Sequence, residues 1–339
     1  STTVEVYENP TAGFGFNDVC LGATASFQAT SSLLGNDTIT NYWYANNDTL
    51  VGDSVTVYFN GPGNYQVELI AITENGCSDT VSQNFTVFNN PTADFDIVES
   101  CIDEAVQFNN TTTGLSNSTT FEWIYNNQLV DTTFNYSNIF NTPGIHNMTL
   151  IATDSFSAAV QCDDTISFNF FVHAYPTFTY LADTIQCEDV AFGVVGSPSI
   201  VTNENISDYW EVNNVFADSA TLFNTTIANP GVYQFTYTVT SAFGCEVDTT
   251  FDMYIMATPD APILSFNIPE CPGDPFFLSA VGEANSTILW TGPNNFASTL
   301  FNPTFPLDEN EMGVYTAFIT SEYGCISDTS QIDATITYI

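Results

Sequence analysis

Apolar and polar residues alternate along this chain in short segments. Tyr65-Gln66-Val67-Glu68-Leu69-Ile70-Ala71 sets Tyr65, Val67, Leu69 and Ala71 on one face. Tyr233-Gln234-Phe235-Thr236-Tyr237-Thr238-Val239 and Asn147-Met148-Thr149-Leu150-Ile151-Ala152 repeat the pattern. A period of two is the mark of a strand with one face in a core. The segments are rich in Val, Ile, Thr, Phe and Tyr, which suit a pleated surface. Asn-Gly, Pro-Gly, Asn-Asp and Phe-Gly turns separate them. No helical period of useful length occurs, so an all-β chain is predicted.

The strands belong to a unit that recurs four times. Each copy has a Cys, a Trp, a Gly-x-Tyr turn (Gly-x-His in the second), a strand and a second Cys near an Asp-Thr. The first copy carries Cys20, Trp43, Pro62-Gly63-Asn64-Tyr65, Gly76-Cys77 and Asp79-Thr80. The second carries Cys101, Trp123, Pro143-Gly144-Ile145-His146, Cys162 and Asp164-Thr165. The third carries Cys187, Trp210, Pro230-Gly231-Val232-Tyr233, Gly244-Cys245 and Asp248-Thr249. The fourth carries Cys271, Trp290, Gly313-Val314-Tyr315, Gly324-Cys325 and Asp328-Thr329. Cys-to-Trp spacings are 23, 22, 23 and 19, and successive first cysteines lie 81, 86 and 84 residues apart. Ordered markers at a fixed period define a repeat architecture. About seven short strands per period imply a two-sheet sandwich with the Trp at its centre.

Prolines punctuate the joints, at Asn89-Asn90-Pro91, Ala174-Tyr175-Pro176 and Thr258-Pro259-Asp260-Ala261-Pro262. They block continued strand pairing and stiffen short linkers, so sandwiches arranged as a rod are expected. The predicted domains are 9–90, 91–175, 176–258 and 259–339. Val4-Glu5-Val6-Tyr7 before Asn9-Pro10-Thr11-Ala12 parallels Phe85-Thr86-Val87-Phe88 before Asn90-Pro91-Thr92-Ala93. Residues 1–8 are therefore expected to be the last strand of a preceding domain, and Ile339 to end the last strand of the fourth. A piece of a longer array is inferred.

Charge narrows the function. The 339 residues include 39 Asp and Glu but no Lys or Arg. Without basic side chains the chain cannot hold nucleic acid phosphates or an anionic membrane surface. Burial, backbone hydrogen bonds and cross-links must hold the fold. Hydrophobic residues at 44% and aromatics at 14% exclude a disordered composition. No run is long enough for a transmembrane helix.

The Trp followed some 20 residues later by Pro-Gly-x-Tyr resembles the PKD domain, which implies an immunoglobulin-like sandwich. The first three copies carry the resemblance. The fourth lacks the Pro before Gly313, reads Trp290-Thr291-Gly292-Pro293, and is similar to a related Ig-like variant. The family's Trp-Asp-Phe-Gly-Asp-Gly turn is replaced by Trp43-Tyr44-Ala45-Asn46-Asn47-Asp48, Trp123-Ile124-Tyr125-Asn126-Asn127 and Trp210-Glu211-Val212-Asn213-Asn214. The added cysteines resemble repeats of large surface proteins of Bacteroidota exported by the type nine system, gliding adhesins among them. That resemblance implies passive display or adhesion.

Eight cysteines, two per repeat, point to an oxidising compartment. Pairing within repeats would join Cys20–Cys77, Cys101–Cys162, Cys187–Cys245 and Cys271–Cys325. In a sandwich of this topology those positions sit at opposite ends, roughly 25–30 Å apart, whereas a disulfide needs Cα atoms within about 7 Å. Head-to-tail packing would instead pair Cys20–Cys162, Cys101–Cys245 and Cys187–Cys325, leaving Cys77 and Cys271 for neighbouring repeats. Both schemes stand at this point.

Asp94, Asp96, Glu99, Asp103 and Glu104, and then Asp163 and Asp164, lie near joints and are candidate calcium ligands. No cofactor is required. The Asp-Thr and Asp-Ser junctions resemble an O-glycosylation signal of Bacteroidota, which makes Thr38, Thr49, Ser54, Thr80, Thr132, Thr165, Thr184, Ser219 and Thr249 candidates. The same dipeptide also suits a turn entering a strand. His146 and His173 have no nucleophile motif beside them, so no enzyme is expected. The sequence reads as a non-catalytic structural segment of a long extracellular filament or adhesin. Its partners would be adjacent repeats, surface glycans or other cells. The rival readings are an accessory binding region of a secreted degradative enzyme and a self-assembling sheath or fibre subunit.

Overall fold

A computed structural model describes residues 2–271, 274–306 and 311–335. The chain divides into two compact units, Ser1–His173 and Ala174–Ile339. Each contains two β-sandwiches, and each sandwich has its own hydrophobic cluster. Residues 336–339, where the last strand of the fourth repeat was expected, lie outside the described residues.

The first three sandwiches share one plan. In the first, a five-stranded sheet runs Val19–Cys20, Ser78–Phe88, Gly63–Thr73, Ile39–Ala45, Asp48–Val51. A three-stranded sheet of Phe14–Phe16, Thr24–Ala29 and Ser54–Tyr58 faces it. The second and third sandwiches repeat the five-plus-three arrangement. The seven strands expected per repeat become eight. The extra one is the two- or three-residue strand that ends on the first cysteine, too short to show any alternation. It pairs in parallel with the end of the last strand, Cys20 beside Phe88, Cys101 beside His173 and Cys187 beside Met256. Among the described residues, the fourth sandwich has a four-stranded and a three-stranded sheet.

The two-residue period explains the cores. Val67, Leu69 and Ala71 are buried, as are Met148, Leu150, Ala152, Phe235, Tyr237 and Val239. All four tryptophans are 0% exposed. Trp43 and Trp123 donate Nε1–H to the carbonyls of Gly52 (2.8 Å) and Thr133 (2.9 Å). Trp210 and Trp290 bury the same N–H with no acceptor among the described residues.

The hairpin after each of the first three tryptophans turns on two asparagines with positive φ, 52° and 69° at Asn46 and Asn47. Asn126-Asn127 and Asn213-Asn214 do the same. A two-residue turn with both residues left-handed matches strand twist, and Asn tolerates that backbone. These turns work through backbone geometry, with asparagine at both central positions.

The Gly-x-Tyr motif forms a corner. Tyr65, Tyr233 and Tyr315 donate their hydroxyls to the carbonyl four residues earlier, on Gly61 (2.8 Å), Asn229 (3.1 Å) and Glu311 (2.6 Å). His146 keeps the contact by other means. Its Nε2 lies 2.8 Å from the Thr142 carbonyl and its Nδ1 lies 2.8 Å from the Tyr125 hydroxyl. A carbonyl only accepts, so Nε2 carries the proton and Nδ1 accepts from Tyr125.

Two core tyrosines make the second unit sensitive to alkali. Burial, with Asp208 beside it, raises Tyr237 far above its ordinary value, and burial with Glu311 nearby pushes Tyr315 up to about 12. A phenol whose folded pKa is raised is stabilising as the neutral form. That stability is complete below the unfolded value near 10 and declines as pH rises above it. Denaturant midpoints for this unit are therefore expected to fall above pH 10. Tyr237→Phe and Tyr315→Phe together should flatten that fall. An unchanged slope in the double variant would refute the assignment.

Candidate functional site: the joints between sandwiches

The first unit shows how one sandwich meets the next. Cys20 is held at the end of its own sandwich by parallel pairing with Phe88. The next sandwich sends back a long hairpin, Gly144–Ser157 and Val160–His173. Cys20 and Cys162 are joined there, with Cα atoms 5.5 Å apart. Phe88 stacks on Phe156 near the hairpin tip, with ring centroids 3.9 Å apart and planes within 8°. Asn90 in the linker donates Nδ2–H to the Leu21 carbonyl at 3.2 Å. A covalent bond, an aromatic stack and a linker hydrogen bond thus act on one short joint.

The second unit repeats the device. Cys187 bonds Cys325 across 138 residues of sequence, again with Cα atoms 5.5 Å apart. Glu188, next to Cys187, accepts from the N–H and the hydroxyl of Thr258, both at 2.8 Å. These two donors, the backbone N–H foremost, hold the Glu188 carboxyl below its ordinary pKa. The linker is pinned to the residue after the first cysteine in both units, by Asn90 in one and Thr258 in the other.

Within-repeat pairing is incompatible with these bonds. Cys162 and Cys325 are taken by Cys20 and Cys187, and Cys77 and Cys271 are free thiols. The reason is topological. The first cysteine sits beside the end of its sandwich's last strand, while the second sits in the hairpin at the far end.

The candidate calcium ligands have other work. Asp94 accepts from the Phe95 N–H at 2.9 Å. Glu99 accepts from the Phe171 N–H at 2.7 Å and lies 3.3 Å from His173 Nε2. Asp164 accepts from the Ala93 N–H at 2.9 Å, and Asp103 occupies a positive-φ turn position at 64°. Among the described residues, no three His, Cys, Asp or Glu side chains come together as a metal site. Asp96, Glu104 and Asp163 are therefore not drawn into a cluster with the others.

The Asp of the Asp-Thr motif has a structural task in the first unit. Asp79 accepts from Ala12 N–H at 2.8 Å, as Asp164 does from Ala93. Each ties the last strand to the start of its sandwich. Of the glycosylation candidates, Thr38, Thr49, Ser54, Thr80, Thr132, Thr165, Thr184 and Ser219 are exposed, and Thr249 is half-buried.

The Phe88–Phe156 stack and the linker hydrogen bonds have no counterpart among the repeat's markers. A signal existed for the first. An aromatic residue stands at the hairpin tip in Phe156, in Phe243-Gly244 and in Tyr323-Gly324.

Residues 7–88, the first sandwich, match the sequence profile of the PKD domain. The PKD1 domain of the Vibrio cholerae metalloprotease PrtV is 29% identical over 24% of this chain and 98% of its own, with a TM-score of 0.22. A bacterial 1.5-MDa ice-binding adhesin is 14% identical, covering 74% of this chain and 99% of its own, with a TM-score of 0.32. Immunoglobulin domains 1–5 of Sidekick-1 are 14% identical over 96% of this chain and 80% of theirs, with a TM-score of 0.32. No curated protein matches the chain. No helix among the described residues is long and apolar enough to cross a membrane. The chain is an all-β series of tandem β-sandwich repeats, the first of which, over residues 7–88, matches the PKD domain.

Proposed function

We propose that this chain is a non-catalytic structural segment of an extracellular filament or adhesin, and that it supplies reach and stiffness at a cell surface. The observation that carries the reading is the disulfide between consecutive sandwiches, Cys20–Cys162 in one unit and Cys187–Cys325 in the other. A cross-link inside a sandwich would stabilise a bead. A cross-link between sandwiches instead limits their relative motion, which matters to a protein that carries tension or holds a distance. The disulfides support an oxidising compartment.

In this reading the working domains are 9–90, 91–175, 176–258 and 259–339, and Cys101 and Cys245 follow the pairing rule of the other joints. Export by the type nine system and O-glycosylation at the Asp-Thr and Asp-Ser junctions complete the proposal. Its partners are adjacent repeats and, beyond them, surface glycans or other cells. The four buried tryptophans argue against a sugar-stacking platform built on them. Exposed Leu129 (55%), Val215 (66%) and Phe216 (62%) on edge strands favour lateral self-association as the second reading.

Small-angle scattering of the whole chain tests stiffness. The oxidised chain is expected to fit a narrow conformational ensemble, and the reduced chain a broad one with the sandwiches still folded. Identical curves in the two states would remove the mechanical argument. Antibody labelling of intact cells tests the location, and labelling only after lysis would contradict it.

A further inference from the structure

We propose that the Cys187–Cys325 cross-link is a thiol-exchange site, opened at the Cys187 sulfur by small cationic thiols, and that a buried carboxylate facing Cys162 keeps the Cys20–Cys162 cross-link closed under the same conditions. The inference deepens the structural-segment reading and rests on its cross-linked joints.

The two cysteines of each cross-link are not equivalent. Cys162 and Cys325 belong to hairpins and are each 1% exposed. Cys20 and Cys187 stand at strand ends and are half-buried. Thiol–disulfide exchange depends on access to the attacked sulfur. Attack therefore falls on Cys20 or Cys187, and the sulfur expelled as thiolate is that of Cys162 or Cys325.

What the expelled sulfur faces differs between the joints. Cys162 stands directly opposite Asp154 in the ladder of Gly144–Ser157 and Val160–His173. Facing residues share one side of a sheet, with Cβ atoms roughly 4.5–5.5 Å apart. Asp154 is 1% exposed, and its Oδ1 accepts from Ser116 Oγ at 2.8 Å and from Thr119 Oγ1. The chain has no Lys or Arg to neutralise it. A thiolate released at Cys162 would form beside a buried negative charge, where repulsion and lost hydration both oppose it. Cys325 faces Ser321 instead. The Ser321 N–H donates to the Cys325 carbonyl at 2.8 Å, and Ser321 Oγ accepts from the Cys325 N–H at 3.1 Å. That hydroxyl can turn its proton toward a thiolate.

The hairpin tips differ in the same direction. Phe156 is stacked on Phe88 beside the Cys20–Cys162 bond. Tyr323, at the tip that carries Cys325, is 50% exposed.

Charge selects the incoming thiol. Glu188 follows Cys187, and the whole chain carries 39 Asp and Glu against no Lys or Arg. Such a field concentrates cations and repels anions. A thiol bearing an ammonium, such as cysteamine, fits this site better than glutathione, whose net charge is negative.

The step balances without an outside oxidant. Cysteamine thiolate attacks Cys187 Sγ and forms a new S–S bond as the bond to Cys325 breaks. The Cys325 thiolate then takes a proton from water. One thiol and one disulfide have become one mixed disulfide and one protein thiol. The reverse step is built in, because the turn that holds Cys325 keeps it facing Ser321, from where it can attack Cys187 Sγ and release cysteamine.

The test uses the purified, folded chain with Cys77 and Cys271 first blocked by N-ethylmaleimide. Cysteamine is added, samples are quenched with acid over time, and peptides are mapped without reduction. Cys187–Cys325 is expected to open about tenfold or more faster than Cys20–Cys162, with the cysteamine adduct on Cys187 rather than Cys325. Asp154→Asn keeps an oxygen for both hydroxyls and removes the charge. It should speed opening of Cys20–Cys162 by about tenfold while the thermal midpoint and the Cys187–Cys325 rate stay as they were. Glutathione at equal thiolate concentration should be slower than cysteamine at low salt, and the gap should close as salt rises. Equal opening rates at the two cross-links, an adduct on Cys325, no response to Asp154→Asn, or no preference for the cationic thiol would each overturn the proposal. The zero-time map separates this failure from the other. Absence of Cys20–Cys162 and Cys187–Cys325 before any thiol is added would sink the structural-segment reading, whereas their presence with equal opening rates would sink only the exchange site.

Discussion

Pulled from its two ends, the oxidised chain is expected to withhold most of its length. A disulfide carries tension directly from one sulfur to the other, so residues between the partners feel none of it. Cys20–Cys162 shields 141 intervening residues and Cys187–Cys325 shields 137. At roughly 3.5 Å per extended residue, that hides about 490 Å and about 480 Å of chain. Single-molecule force–extension in oxidising buffer should therefore lack the four releases of about 250 Å that four independent sandwiches of this size would give. After reduction those releases should appear. A staircase of full-length steps before reduction would mean that the cross-links do not carry the load. The effect is large because it depends on connectivity and only weakly on the energy of any contact.

Gly196→Ala is expected to be the most damaging single methyl group in the second unit. A Cβ at Gly196 would lie 2.1 Å from Cζ and 2.4 Å from the hydroxyl of Tyr237. That ring cannot swing aside at small cost. It is wholly buried, stacks on Trp210 with centroids 4.4 Å apart, and donates its hydroxyl to Asp208 at 2.8 Å. Overpacking costs about 1–3 kcal/mol and losing a hydrogen bond to a charged acceptor about 1.5–3 kcal/mol, so the sum is about 3–5 kcal/mol. For a domain of this size each kcal/mol lowers Tm by about 4–8 °C, so a fall of about 15–30 °C is expected in calorimetry. The first two sandwiches suggest the rescue. Leucine, Leu69 or Leu150, stands opposite the tryptophan where the third has Tyr237. Gly196→Ala combined with Tyr237→Leu should recover much of the loss. A drop below about 1 kcal/mol for the single variant would show that the ring has room the structure does not give it.

The parts of the fold legible in sequence are those written in short range. A two-residue period marks a half-buried strand, and an Asn-Asn pair marks a turn with both residues left-handed. A Trp 20 to 23 residues before the glycine of a Gly-x-Tyr or Gly-x-His corner marks the centre of a sandwich. The Cys20–Cys162 joint was legible for another reason, because repeat topology puts the two cysteines of one sandwich at opposite ends. What could not be read depends on side chains meeting across long sequence distances with no period to announce them. Phe88 and Phe156 stack because one hairpin is long enough to reach back, and Asn90 finds Leu21 only when the linker folds over it. The hydrogen bonds of the carboxylates at 94–104 and 163–164 were hidden for the same reason. They form two groups some 60 residues apart in sequence, and Asp94, Glu99 and Asp164 each accept from a backbone N–H. Tyr237 facing Gly196 is a pairing of complementary sizes on different sheets, invisible until the register is known.

A repeat that offers one cysteine forward and accepts one from behind has a consequence for inheritance. Such a unit is indifferent to copy number. Duplication or deletion of one whole period, 81 to 86 residues here, brings a forward cysteine against a backward one again. The new junction needs no compensating mutation. A cut at any other length strands a thiol and breaks a sandwich. Recombination between such repeats is therefore filtered at the protein level toward whole periods, and an array can lengthen or shorten while every internal seam keeps the same chemistry.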